Sequence, residues 1–92
     1  MWYLYVVKCS DNSLYCGITK NVQARVEVHN KGKGSKYTRS RLPVVLDDFC
    51  KVSVFKSDAL KVEYAFKRLR KKQKIEILNS GLANFSKEYL RE

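Results

Sequence analysis

Two short β-type runs joined by a polar turn constrain this chain more than any other feature. Residues 2 to 9, WYLYVVKC, are rich in Trp, Tyr and Val, and residues 14 to 19, LYCGIT, resume the same character. Between them Ser10, Asp11, Asn12 and Ser13 form a cluster of turn-forming residues. The pair predicts an antiparallel hairpin. Alternation places Tyr3, Tyr5, Val7 and Cys9 on one face of the first strand, and Tyr15, Gly17 and Thr19 on one face of the second. Whether those faces coincide depends on register. A loop of odd length, such as Asp11-Asn12-Ser13, brings Tyr5 and Tyr15 together, whereas an even loop separates them. If they are together, two phenols flank a floor that lacks a side chain at Gly17. Glycine inside a strand marks a bulge or a place where something approaches the backbone closely. The gap at Gly17 therefore reads as an opening for a ligand, although two core tyrosines and a bulge glycine explain the hairpin, taken alone, at least as well.

The rest of the chain alternates helical and strand signals. Asn21 can cap a helix over 22 to 30, which Gly32 and Gly34 end. Residues 35 to 42, SKYTRSRL, read as a short helix or an ordered loop before Pro43. Residues 44 to 56 are strand-like, with Val52, Val54 and Phe55 the clearest part and Asp47-Asp48 a point where the run can split. Ser57 is the expected cap of a helix over 58 to 70. Further helices are expected over 71 to 79 and, starting near Ser86, in the tail from 84 to 92. The order implies an α+β fold with a small antiparallel sheet, and 92 residues suit one domain spanning 1 to 92.

Composition narrows the function. Nineteen Lys and Arg against nine Asp and Glu leave a net charge of +10, which favours a polyanionic partner, nucleic acid first. No apolar run approaches the roughly 20 residues that cross a bilayer. The apolar start lacks the basic head and small-residue cleavage site of a signal peptide, so it reads as a strand. Three cysteines, Cys9, Cys16 and Cys50, are odd in number and form no C-x-x-C pair. Neither a zinc cluster nor a disulfide framework is indicated, and reduced thiols in a cytoplasm are the plain expectation, near the nucleoid if the source is bacterial.

Two helices carry candidate chemistry. Arg25 and His29, the sole histidine, are four apart and lie on one side of the first helix. Arginine can hold phosphate through two parallel hydrogen bonds. In the third helix Ala59, Val62, Phe66 and Leu69 form an apolar stripe with Leu60 at its edge, and Glu63 falls inside that arc. A carboxylate on a core-facing side is costly unless paired or bound to a cation. An internal salt bridge and a Mg²⁺ or Mn²⁺ ligand account for it equally.

Taken in order, these residues resemble the GIY-YIG nucleases. Tyr3-Leu4-Tyr5 and Tyr15-Cys16-Gly17 look like the two halves of the signature, followed by Arg25, His29 and then Glu63 in a later helix. The stretches GKGSKYTRSRLP and SDALKVEYAFKRL resemble the small stand-alone members of the UPF0213 type, so the likeness covers about residues 2 to 78. Tyr3 stands where the signature has its first glycine, and Cys16 where it has isoleucine. Many members carry a late asparagine near the metal glutamate, for which Asn79 is the first candidate and Asn84 the second.

The resemblance implies a three-stranded antiparallel sheet flanked by helices and metal-dependent cleavage of DNA, with low sequence specificity, in repair, recombination or processing. It implies Glu63 as the ligand of Mg²⁺ or Mn²⁺, Tyr5 as general base, His29 as its hydrogen-bonding or relay partner, Tyr15 and Arg25 as phosphate contacts, and Gly17 as the space left for the phosphate or its neighbours. Lys8 and Arg25 are expected to favour the Tyr5 phenolate by their charge. Lys8, Lys31, Lys33, Lys36, Arg39, Arg41, Lys67 and Lys71 are expected to grip the DNA backbone, single-stranded or branched DNA included, with Tyr37 as a stacking or packing residue. The run KRLRKKQK, 67 to 74, reads equally as a solvated helix face. Two other functions fit the same composition: a basic nucleic-acid-binding module without catalysis, and a nuclease subunit active only beside a protein partner.

Overall fold

A computed structural model describes residues 1–90. The elements run β1 (Trp2–Lys8), β2 (Leu14–Thr19), α1 (Val22–Asn30), α2 (Lys36–Arg39), β3 (Val45–Ser53), α3 (Lys56–Lys67), α4 (Lys71–Ser80) and α5 (Leu82–Tyr89). The strands form one antiparallel sheet of order β2-β1-β3, with helices on both faces. The architecture is α+β, as the sequence predicts. No helix among the described residues is long and apolar enough to cross a membrane.

The central strand is buried on both sides, so β1 reads as an unbroken apolar run. Leu4 and Val6 point to one face and pack with Cys16, Cys50, Val62, Phe66 and Leu82. Tyr5 and Val7 point to the other and pack with Val44, Tyr15, Val22 and Val26. The first layer belongs to α3 and α5, the second to α1. Burial of these side chains on both faces of one strand is the main source of stability in so small a fold.

The hairpin turn sets the register on which the site depends. Asn12 adopts a φ of 68°, a conformation that asparagine tolerates better than most residues. Cys9 N donates to Ser13 O at 2.8 Å, and Ser13 N donates to Asp11 Oδ1 at 3.0 Å. The result pairs Tyr5 with Gly17 and Val7 with Tyr15. This is the odd-loop solution, and it places Tyr5 and Tyr15 on one face.

Helix α1 is tied at both ends. Asn21 Oδ1 accepts from Ala24 N at 3.0 Å, the expected cap. At the other end Asn30 grips the backbone of Val44 on both sides: Val44 N donates to Oδ1 at 2.7 Å and Nδ2 donates to Val44 O at 3.0 Å. That clamp fixes the end of α1 against the lead into β3. The SKYTRSRL stretch contains the four-residue helix α2, capped by Ser35 Oγ accepting from Thr38 N at 3.1 Å.

Three expected boundaries change. Asp47-Asp48 does not split β3; the pairing steps from Val6↔Asp48 to Val7↔Leu46, leaving Asp47 as an extra residue in a bulge. Asp48 Oδ2 then accepts from Leu82 N at 2.9 Å, where a carboxylate favours the start of α5. Helix α3 begins at Lys56, not after a Ser57 cap, because Ser53 Oγ accepts from Phe55 N at 3.0 Å and donates to Asp58 Oδ2 at 2.6 Å. Val54 and Phe55 consequently fall outside the strand and are exposed. Helix α5 starts at Leu82, four residues before the expected Ser86, since burying Leu82 and Ser86 docks it on the sheet. Residues 91 and 92 of the predicted tail lie outside the described residues.

Asn30→Ala removes both bonds of the Val44 clamp and leaves a partly buried amide pair without its partner. It should destabilise the fold by about 1–3 kcal/mol, measured as a lower urea midpoint with an unchanged slope.

Candidate active site

The site is built around the free edge of β2. Gly17 faces Tyr5 across the hairpin, and the phenol ring fills the volume that a side chain would need. A Cβ on Gly17 would stand 2.5 Å from the Tyr5 hydroxyl oxygen and 2.7 Å and 2.9 Å from ring carbons. The gap expected to admit a phosphate is therefore occupied by Tyr5 itself, which is buried. Gly34 plays the same part for His29, whose imidazole occupies the side-chain position of that glycine. Both rings are seated on glycines, Tyr5 on one from the neighbouring strand and His29 on one from the loop after its own helix.

The two rings meet. Tyr5 Oη lies 2.8 Å from His29 Nε2, and the other ring nitrogen, Nδ1, lies 2.9 Å from Thr38 Oγ1. Tyr15 packs its ring against His29 with centroids 5.3 Å apart at 68°, and stacks on Tyr37 at 5.9 Å and 25°. Arg25 stands near Tyr5 from α1, and its positive charge opposes the effect of burial on the phenol. Tyr5, Tyr15, Gly17, Arg25 and His29 thus converge on one side of the β1–β2 ribbon.

Burial dominates the electrostatics. It pushes the Tyr5 phenol up to about 12 despite the opposing effect of Arg25. It also holds His29 below its ordinary value, and the positive charge of Arg25 adds to that effect. The pair at rest is a neutral phenol and a neutral imidazole. On the far face, burial and the nearby Glu63 carboxylate push the Cys16 thiol up to about 12, which makes it a packing group rather than a nucleophile.

Glu63 reaches the same edge from α3. Its side chain is 17% exposed, and Oε2 pairs with Lys67 Nζ at 3.2 Å, with Lys67 itself 48% exposed. The Lys67 ammonium also stands 5.8 Å from the Tyr15 ring centre, so it joins the acid to the aromatic cluster. A hollow of about 260 Å³ opens there between Tyr15, Cys16, Tyr37, Phe66, Lys67 and Lys74. Among the described residues no group of three or more His, Cys, Asp or Glu converges on a point. A lone carboxylate still suits Mg²⁺, which keeps most of its waters and accepts phosphate oxygens. Glu63 fits that donor set, with Lys67 compensating its charge.

Several expected residues lie elsewhere. Lys8 points to the opposite face of β1 from Tyr5 and lines a separate hollow with Asn12, Asp47, Lys71 and Asn79, so it does not act on the phenol. Lys71 Nζ donates to Asn12 O at 2.9 Å. Arg41 is engaged within the protein: its Nε pairs with Asp11 at 3.1 Å, and its guanidinium lies 3.9 Å from the Tyr37 ring centre. Tyr37, stacked on Tyr15 and carrying Arg41, follows the packing reading. Lys31, Lys33, Lys36 and Arg39 are exposed on and before α2, beside the cluster. Asn79 belongs to the separate hollow, and Asn84 Nδ2 donates to Ser80 O at 2.8 Å. Neither asparagine stands with Glu63. Conversely, Ser35, Thr38 and Gly34 hold His29 in place, and in the sequence they stand out only as part of the stretch GKGSKYTRSRLP, with no role attached to them.

Residues 1–76 match the family model of the GIY-YIG catalytic domain. A UPF0213 protein of Bacillus cereus is 49% identical over 77 residues, 84% of this chain and 79% of that protein. One of Staphylococcus haemolyticus is 49% identical over 76 residues, 83% of this chain and 92% of that protein. The solution NMR structure of a UPF0213 protein from Bacillus halodurans superposes with a TM-score of 0.55 at 36% identity, covering 86% of this chain and 84% of that one. A solution NMR structure from E. faecalis gives 0.58 at 41% identity, covering 85% and 82%.

Two outcomes follow from this packing. Gly17→Ala drives a methyl into the Tyr5 ring and should cost about 1–3 kcal/mol of stability, read from thermal unfolding; a variant as stable as the parent would contradict the close contact. His29 should titrate in ring-proton NMR with a midpoint below 6.5, the ordinary histidine value. The unfolded chain takes up that proton first, so the contribution of His29 to stability is full above the unfolded value and is lost as pH falls through the folded one.

Proposed function

The chain belongs to the GIY-YIG catalytic-domain family, and from that premise we propose that it is an endonuclease hydrolysing DNA phosphodiesters with Mg²⁺ or Mn²⁺ at the β2 edge. The observation that carries this reading is the hydrogen-bonded Tyr5–His29 pair beside Arg25, with Tyr15 against the same imidazole and Glu63 reached through Lys67. A nuclease family and a basic chain together point to DNA as substrate.

Each side chain has work that its surroundings allow. Tyr5 is a phenol at rest, because burial outweighs Arg25. Neutral His29, already hydrogen-bonded to the hydroxyl, takes the phenol proton as the phenol oxygen takes one from water; the hydroxide so formed attacks the phosphorus, and the oxygen it displaces is protonated from solvent. Arg25 can only donate, and it offsets charge on the phenol oxygen and on the phosphate as each develops. Tyr15, at the edge strand, orients the phosphate. Lys67 and Lys74 line the hollow beside it and attract the backbone. A divalent cation held by Glu63 supplies positive charge for the phosphate oxygens. Lys33, Lys36 and Arg39 extend the basic surface without reading sequence, which suits low specificity in DNA repair, recombination or processing.

One observation favours the alternative of a binding module without catalysis: the Glu63–Lys67 pair is an ordinary i,i+4 salt bridge. Glu63→Gln separates the two. It should reduce divalent-dependent cutting of labelled single-stranded, duplex and branched DNA by about 100-fold or more while leaving DNA affinity close to that of the parent. A parent protein that binds DNA but cuts none of these substrates with Mg²⁺ or Mn²⁺ would overturn cleavage by this chain alone and leave the binding module and the partner-dependent subunit.

A further inference from the structure

Beyond the Tyr5–His29 contact, the hydroxyls behind the histidine make up a defined donor and acceptor set. Thr38 is fully buried, and its Oγ1 has four polar neighbours. His29 Nδ1 is at 2.9 Å, Ser35 Oγ at 3.0 Å, Ser35 O at 3.2 Å and Ser35 N at 3.4 Å. Ser35 O can only accept and Ser35 N can only donate. The one Thr38 hydroxyl hydrogen therefore satisfies the carbonyl contact, which leaves the oxygen only acceptor capacity for its other three neighbours, with Ser35 N, the longest at 3.4 Å, sharing a lone pair. His29 Nδ1 must then carry the hydrogen. The reverse assignment would set two bare oxygen atoms, Thr38 Oγ1 and Ser35 O, against each other at 3.2 Å.

The other end of the ring reaches the same assignment independently. Tyr5 has the Arg25 guanidinium nearby, a group that can only donate and so offers its hydrogen no acceptor. Its own O–H needs an acceptor, and His29 Nε2 lies 2.8 Å away. No buried side-chain nitrogen or oxygen is without a hydrogen-bond partner among the described residues. With Nδ1 protonated, Nε2 presents the lone pair that accepts the phenol hydrogen. Gly34 completes the arrangement by leaving room for the imidazole above its Cα.

We infer that Thr38, seated by Ser35, is a positioning residue that locks His29 in the Nδ1–H tautomer, so that Nε2 is the acceptor of the Tyr5 phenol proton. For catalysis this rests on the nuclease reading, with Tyr5 as the base. The lock itself is a property of the DNA-free protein. The single histidine makes it directly readable.

In ¹⁵N NMR of uniformly labelled protein at about pH 8, above the ordinary histidine range, Nδ1 should resonate as a protonated nitrogen and Nε2 as an unprotonated one. Thr38→Val removes the acceptor and should yield a mixture of tautomers or the Nε2–H form. Thr38→Ser keeps the hydroxyl and should restore the parent spectrum. In the cleavage assay Thr38→Val should lower kcat by about 10- to 100-fold with little change in KM, and Thr38→Ser should recover most of it. An Nε2–H spectrum in the parent overturns the assignment whether or not any variant folds. So does a folded Thr38→Val protein with the parent tautomer and the parent kcat. If the parent shows the Nδ1–H form but cuts no DNA, the tautomer lock is upheld and the nuclease reading is what fails.

Discussion

The close approach of the Tyr5 ring to the backbone at Gly17 is the contact on which this molecule is organised. It exists because the turn at Asp11-Asn12-Ser13 pairs residue 5 with residue 17, and because residue 17 has no side chain. With the phenol laid across the hairpin, its oxygen comes within hydrogen-bonding distance of His29 from the helix above. A register slip of one residue would turn Tyr5 toward α3 and dissolve the cluster. The second glycine contact, His29 over Gly34, repeats the device. Aromatic groups are placed by giving them backbone to lie on, which fixes them more firmly than side chains that can move aside.

Burial then decides the chemistry. A phenol and an imidazole removed from water are both held neutral, and Arg25 is the one charge set against them. The cost of such a pair is low at rest because each polar atom has a partner. Charge enters only when a proton leaves the phenol, and the groups that would bear it are already arranged. Glu63 belongs to a wetter place, where it is balanced by Lys67, a residue that lines the hollow. Dry proton-holding groups on one side of the β2 edge and hydrated ionic groups on the other give the two halves of the site different solvents.

The scaffold supports that division. Helix α1 is pinned by Asn21 at its start and by the Asn30 clamp on Val44 at its end, so the histidine one residue before the clamp has little freedom. Helix α3 packs Ala59, Val62 and Phe66 under the sheet and leaves Glu63 at the rim of the same stripe. Asp48, beside the Asp47 bulge in β3, accepts from the start of α5, which closes the core on the face opposite Tyr5.

Much of this was legible in the residues themselves. Alternation and turn chemistry are local, so the hairpin, the Asn21 cap and the span of α1 could be read directly. The ordered set of Tyr5, Tyr15, Gly17, Arg25, His29 and Glu63 could be read because it resembles the GIY-YIG signature, whereas alternation and helical periodicity gave only the face that each side chain occupies. What the tertiary structure decided is which groups share a neighbourhood. It filled the space at Gly17 with Tyr5 instead of leaving it open, engaged Arg41 with Asp11 and Tyr37, and brought Ser35, Thr38 and Gly34 behind the histidine. Those outcomes depend on contacts between residues far apart in the chain. A linear pattern fixes the face a side chain occupies along its own strand or helix, but distances between elements are set only when their cores pack.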